Sequence, residues 1–232
     1  QLFPEALYSD IKGNLGDIVF IGKQDEDFVT TTYALKPGTS TFPDGLLVQI
    51  SAGLHECTNL LASAGNTAVF SKWVPVQEEI MVYDAANDVT KPLNLPADRG
   101  LGWEFRLSQD GSGLLTKLVT GPNYDDYEWW YVDTTQAALN SEFIAPVTTV
   151  NENFQFDRMS LDGKIIALQD RNNHRAFIFD AETHWFEDPL EWTTGVEDSY
   201  CKGFSADGKA VIQHWSTQTD GSQVNLYDPK TH

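Results

Sequence analysis

The sequence predicts an all-β protein, and three observations predict it. One short pattern recurs along the chain, each copy centres on a hairpin turn between two apolar runs, and no long stretch carries the 3.6-residue apolar period of a helix. The four clear copies are Ser63-Ala-Gly-Asn-Thr-Ala-Val-Phe, Ser108-Gln-Asp-Gly-Ser-Gly-Leu-Leu, Ser160-Leu-Asp-Gly-Lys-Ile-Ile-Ala and Ser205-Ala-Asp-Gly-Lys-Ala-Val-Ile. A fainter copy pairs Ser9-Asp-Ile-Lys-Gly13 with Thr32-Tyr-Ala-Leu-Lys36. The five serines stand 54, 45, 52 and 45 residues apart, the spacing of a β-propeller blade.

Each part of the unit has a local cause. Asp-Gly and Gly-Asn between β-rich runs are hairpin turns, because such turns need residues that tolerate positive φ. A short strand precedes the turn, as at Phe154 to Ser160 and Lys202 to Ser205, and a buried strand follows it, as at Ile165 to Leu168 and Ala210 to Gln213. A polar loop then leads to a third strand ending in Asp: Ile80 to Asp84, Trp130 to Asp133, Phe177 to Asp180 and Val224 to Asp228. Ala-Glu-Thr after Asp180 and Pro-Lys-Thr after Asp228 read as a second turn. A weaker fourth strand is expected at Pro92 to Leu95, Phe143 to Val147 and Pro189 to Trp192. One such sheet cannot bury both of its faces alone, whereas several packed radially can.

The expected architecture is therefore a β-propeller of about five four-stranded blades in a single domain, with repeats at 5–53, 54–101, 102–152, 153–198 and 199–232. A β-sandwich or a non-radial β-solenoid shares the strand spacing and is the competing fold. Only 27 residues follow Ser205, fewer than in any preceding repeat. Either the ring closes at five blades with a three-stranded last blade, or the chain is part of a larger propeller; the second is preferred. An open blade edge invites self-association.

The segment Ser160-Leu-Asp-Gly-Lys-Ile-Ile-Ala through Phe177-Ile-Phe-Asp180 resembles the repeats of TolB-like and YVTN-type β-propellers, which carry a Ser-Pro-Asp-Gly-Lys turn and an Ile/Val-Tyr-x-x-Asp strand. The resemblance covers nearly the whole chain, most closely from Ser63 onward. This chain has no Pro in any copy of the turn, and Ser63-Ala-Gly-Asn lacks the Asp-Gly pair. The resemblance implies architecture, not a particular activity, since these propellers host many functions.

Charge narrows the partners. Fifteen basic residues against 34 acidic ones give a net charge of −19, which repels nucleic-acid phosphates and anionic lipid headgroups. No run approaches the ~18 apolar residues of a membrane span. The expectation is an extracellular or cell-surface protein with a protein or glycan partner. Cys57 and Cys201 lie in the second and fifth repeats, outside any Cys-x-x-Cys pair, and are expected as buried free thiols. No cofactor is expected. Structural calcium is a minor alternative, because no Asp-x-Asp-x-Asp-Gly loop occurs and a turn aspartate usually bonds its own backbone.

The long loops fall on the end of the sheets opposite the Asp-Gly turns, where function concentrates. Pro122 to Trp130 is the most distinctive of them. Its Tyr124, Asp125, Asp126, Tyr127, Glu128 and Trp129 set carboxylates beside rings, a pairing that suits sugars or cationic peptides; a solvated acidic loop with packed aromatics is the plainer reading. Asp170, His214 and Trp215 are candidates on the same end. Trp73 and Trp215, each ten residues after its serine, fit packing between blades or a ring lining that end. No nucleophile elbow, zinc helix or phosphate loop is present, and no catalytic residue is assigned. The reading is a non-catalytic binding or assembly module acting through its loop-rich face. The alternative is a carbohydrate-active hydrolase or the propeller portion of a peptidase, for which paired carboxylates would be needed.

Overall fold

A computed structural model describes residues 8–12, 18–24, 26, 29–35, 47–54, 57–74, 77–120, 126–139, 144–148, 153–190, 195–217, 221–229 and 231. Every regular element among them is a β-strand, and the strands form antiparallel sheets in chain order. The first sheet holds β1 (Tyr8–Lys12), β2 (Val19–Gln24), β3 (Val29–Leu35) and β4 (Leu47–Leu54). The second holds β5 (Cys57–Ala64), β6 (Thr67–Val74), β7 (Gln77–Asp84) and β8 (Val89–Pro92). The third holds β9 (Gly100–Leu107), β10 (Gly113–Val119), β11 (Tyr127–Asp133) and β12 (Ile144–Pro146), and the fourth β13 (Phe154–Met159), β14 (Ile165–Asp170), β15 (Arg175–Asp180) and β16 (Trp185–Glu187). The last sheet has three strands, β17 (Val196–Phe204), β18 (Ala210–Ser216) and β19 (Gly221–Tyr227). In the second to fifth sheets the repeated serine stands at or beside the end of the first strand, as expected; in the first sheet Ser9 instead lies near the start of β1, paired with Lys23, so the faint first copy does not share the serine turn.

The repeated serine closes the first hairpin. In the fourth repeat the Ser160 amide donates to the Ile165 carbonyl (2.8 Å) and the Gly163 amide donates to the Ser160 carbonyl (3.0 Å). The Ile165 amide then needs another acceptor, and the Ser160 hydroxyl oxygen supplies it at 3.0 Å while donating its own hydrogen to Asp162 at 2.8 Å. Ser205 makes the equivalent pair of bonds with Lys209 and Asp207. Glycine is needed at the turn: Gly111 has φ +81°, and a Cβ there would lie 2.6 Å from both the Ala64 carbonyl and the Thr67 hydroxyl.

Two of the expected fourth strands lie elsewhere. β8 ends at Pro92 instead of beginning there, and β16 spans Trp185–Glu187 instead of Pro189 to Trp192. The cause is the turn after the strand-end aspartate. Asp84 accepts from the amides of Ala86 (3.0 Å) and Asn87 (3.2 Å), and Asp180 from those of Glu182 (2.8 Å) and Thr183 (3.4 Å). The residue four positions after each aspartate, Asp88 or His184, takes positive φ (59° and 57°), so the chain reverses at once and the next strand starts immediately. β12 falls inside the expected Phe143 to Val147.

The chain divides into two compact units, one of Gln1–Pro96, Phe105–Ser112 and Asp133–Phe143, the other of Ala97–Glu104, Gly113–Val132 and Ile144–His232. In the first, Ile18, Phe20, Ala34, Ala68, Phe70 and Tyr83 make one core between the first and second sheets, with Phe20 and Phe70 edge to face at 5.1 Å. Lys91 is buried there and donates to the carbonyls of Thr134 (3.1 Å) and Gln136 (2.8 Å), tying β8 to the turn after Asp133. In the second unit, one core joins Leu115, Trp129 and Tyr131 to Phe154, Ile166 and Phe179, and another joins Ile165, Ala176 and Ile178 to Cys201, Ala210 and Ile212. Successive sheets in this unit thus pack face to face. Cys201 is a free buried thiol, and burial pushes its pKa up to about 11.

Candidate functional site

Hydrogen bonds fix the two ends of the sheets in the second unit. The Ala181 amide donates to the Lys164 carbonyl (2.8 Å), so the turn after Asp180 lies beside the Asp-Gly turn. At the other end Thr217 donates to Gly195 (2.9 Å) and Arg171 to Asn153 (3.0 Å), so strand-connecting loops there adjoin the segments between repeats. This second end carries the sequence candidates. Tyr124 and Asp125 lie outside the described residues.

On β11 most of the candidates are tied into the protein. Trp129 is fully buried, and its indole N–H donates to the Phe154 carbonyl at 3.0 Å. Tyr127 donates its hydroxyl to the same carbonyl at 3.1 Å, and the Lys117 ammonium sits 3.4 Å from its ring centroid. Burial raises the Tyr127 pKa and lowers that of Lys117, the latter despite Glu104 nearby. Glu128 is buried and accepts from Arg99 Nε (3.1 Å) and Trp130 Nε1 (2.9 Å). The hydrogen bond to Glu128 is the leading cause of a raised Arg99 pKa. The Asp126 carbonyl closes the loop by accepting from the Thr120 amide at 2.9 Å. Arg99, 29 residues away in sequence, is the partner that sequence reading missed; nothing local signals it.

The candidates on β14 and β18 differ in character. Asp170 is buried and repeats the turn chemistry of Asp84: it accepts from the Asn172 amide (2.8 Å) and the Asn173 side chain (2.7 Å), and His174 takes φ 55°. Trp215 is 44% exposed, as Trp73 is 50% exposed in the first unit, so neither is a core side chain. His214 is buried, and neither ring nitrogen has a hydrogen-bond partner among the described residues. A hollow of about 370 Å³ opens near this loop end, walled by Arg175, whose guanidinium pairs with Asp188 at 2.6 Å, and by Val196 and Glu197.

A larger cavity, about 640 Å³, lies at the opposite end, between the Asp-Gly turns of the fourth and fifth repeats. Leu161, Ile165 and Phe204 supply apolar wall, and Asp162, Glu182 and Asp207 stand around it. The sequence reading placed its candidates on the loop end and did not point here. Among the described residues no group of three or more His, Cys, Asp or Glu is gathered as a metal site would be.

No family model matches this chain, and no curated protein matches it. Solved structures do. An oligogalacturonate lyase in complex with manganese is 12% identical over 97% of this chain and 71% of its own, with a TM-score of 0.45. TolB from Acinetobacter baumannii is 17% identical over 91% of this chain and 52% of its own, with a TM-score of 0.37. An acylaminoacyl peptidase from Pyrococcus horikoshii is 11% identical over 96% of this chain and 38% of its own, with a TM-score of 0.42.

Proposed function

We propose that this chain is a non-catalytic binding and assembly module of β-propeller type, and that a second copy docks on the sheet face where Val224 and Leu226 of β19 are exposed. One observation carries the reading. Val224 and Leu226 stand four and two residues before the strand-end Asp228 and are 62% and 66% exposed. Their counterparts Trp129 and Tyr131 on β11, and Ala176 and Ile178 on β15, are buried in cores made with the sheet that follows. Repeats of this kind bury an apolar face through a neighbour, and exposed apolar side chains at these positions offer a seat for another sheet of the same type. A head-to-tail contact between copies satisfies that need. The loop end, where Trp215 is exposed, offers further surface for a protein or glycan partner. A net charge of −19 accords with an extracellular or cell-surface setting.

Sedimentation of the intact chain over a wide concentration range tests the assembly reading. Reversible self-association is expected, and Val224→Lys with Leu226→Lys should abolish it while leaving the far-ultraviolet spectrum unchanged. A wild-type chain that stays monomeric throughout, or a double variant that associates as well as wild type, would overturn it.

A further inference from the structure

The cavity at the Asp-Gly turn end has a counterpart position between each pair of consecutive repeats, and at two of these it is closed. In the first unit, a Cβ added to Gly65 would lie 2.6 Å from the Asp110 carbonyl, so the turns of the second and third repeats touch. In the second unit, a Cβ on Gly113 would lie 2.9 Å from Gly163 Cα, so the third and fourth repeats touch as well. Gly208, in the fifth repeat, has nothing within 4 Å of such a Cβ. Between the fourth and fifth turns the space is instead the cavity of about 640 Å³, within the range of roughly 300–1,000 Å³ that ligand pockets occupy.

Its lining has a definite chemistry. Ile165 is buried at the wall and Phe204 is half-buried. Leu161 is 63% exposed, and it occupies a turn position where the other clear repeats carry Ala64, Gln109 and Ala206. Together Leu161, Ile165 and Phe204 give one cavity an apolar wall, which gains by being covered. Around that wall stand Asp162, Asp180, Glu182 and Asp207 against the single lysine of the lining, Lys164, which pairs with Glu182. Lys209, 3.4 Å from Asp207 and 3.8 Å from Asp228, adds one charge of each sign and leaves the excess negative.

We infer that this cavity binds a basic peptide segment, inserting an aliphatic or aromatic side chain between Leu161 and Phe204 and presenting flanking Lys or Arg to the carboxylates. The apolar contact provides the anchor, and the charges provide orientation and on-rate. The site is separate from the face formed by Val224 and Leu226, so either can hold while the other fails.

The test uses the intact chain and three acetylated, amidated pentapeptides: Arg-Phe-Arg-Leu-Arg, Arg-Gly-Arg-Gly-Arg and Glu-Phe-Glu-Leu-Glu. Binding is followed by amide chemical shifts at physiological salt. The first peptide is expected to shift Leu161 to Ile165 and Phe204 to Gly208 with saturation. The second should bind about tenfold or more weakly, one anchor being worth about 1.4 kcal/mol, and the third should not bind. Ala206→Trp, which fills the cavity from an exposed turn position, and Leu161→Ser should each weaken the first peptide at least as much as removing its apolar side chains does. Equal affinity for the first two peptides, shifts spread over the acidic surface, or undiminished binding in both variants would overturn the inference.

Discussion

Removing one repeated hydroxyl isolates the turn chemistry on which the fold is built. Ser160→Ala deletes the acceptor of the buried Ile165 amide (3.0 Å) and a donor to Asp162 (2.8 Å). Ser160 is buried, so water does not readily replace the hydroxyl. An orphaned buried N–H costs about 1–3 kcal/mol. Taking about 2 kcal/mol, and about 2–4 °C per kcal/mol for a protein of this size, the melting temperature should fall by roughly 4–8 °C. Ser205→Ala removes the same two bonds from a more exposed turn and should cost about 0.5–1 kcal/mol, the range of a net hydrogen bond in contact with water. Asp162→Asn keeps an acceptor oxygen and should cost less than Ser160→Ala. Calorimetry of the three variants reads the order directly. A Ser160→Ala chain that melts with wild type, or below which Ser205→Ala falls, would refute the account of why serine opens each repeat.

Other positions extend the same reasoning. His214→Leu removes two buried ring nitrogens that have no partner among the described residues, and should raise stability by about 1–2 kcal/mol in urea titrations; a loss would show that the imidazole is satisfied by another group. Lys91→Met keeps the apolar stem but loses the bonds to the Thr134 and Gln136 carbonyls, and should destabilise by about 2 kcal/mol, visible as a lower urea midpoint. Burial pushes the carboxyls of Asp84 and Asp110 up, but hydrogen bonds from Asn87 and Ala86 in one case, and from Ser112 and Ser108 in the other, outweigh it and leave both below the ordinary value. The folded state therefore binds these protons less tightly than the unfolded chain. Their stabilisation is complete above the ordinary carboxylate range and is lost as pH falls through their lowered values, so an Asp84→Asn, Asp110→Asn chain should show a flatter stability-against-pH curve below about pH 4.

The local code was legible because its causes are local. Ser160-Leu-Asp-Gly and its relatives specify a hairpin through one hydroxyl, one carboxylate and one residue at positive φ, all within a few positions, and strand alternation follows from the pleat. The same turn chemistry shows why the early start of β8 and β16 was missed: Asp88 and His184 take positive φ without being glycine, which composition does not announce. The candidate site was much less legible. Glu128 reads as a free acid on a loop, yet it is held by Arg99 from the segment before β9, and of the two readings open for Trp129 the packed one holds, its indole donating to Phe154. Whether a carboxylate is available, whether Leu161 borders a cavity while Gly113 closes against Gly163, and whether Leu226 is bare while Ile178 is covered depend on how one sheet sits on the next. Those distances are set by packing among residues some tens of positions apart, a sum of many small contacts that no single stretch of sequence encodes.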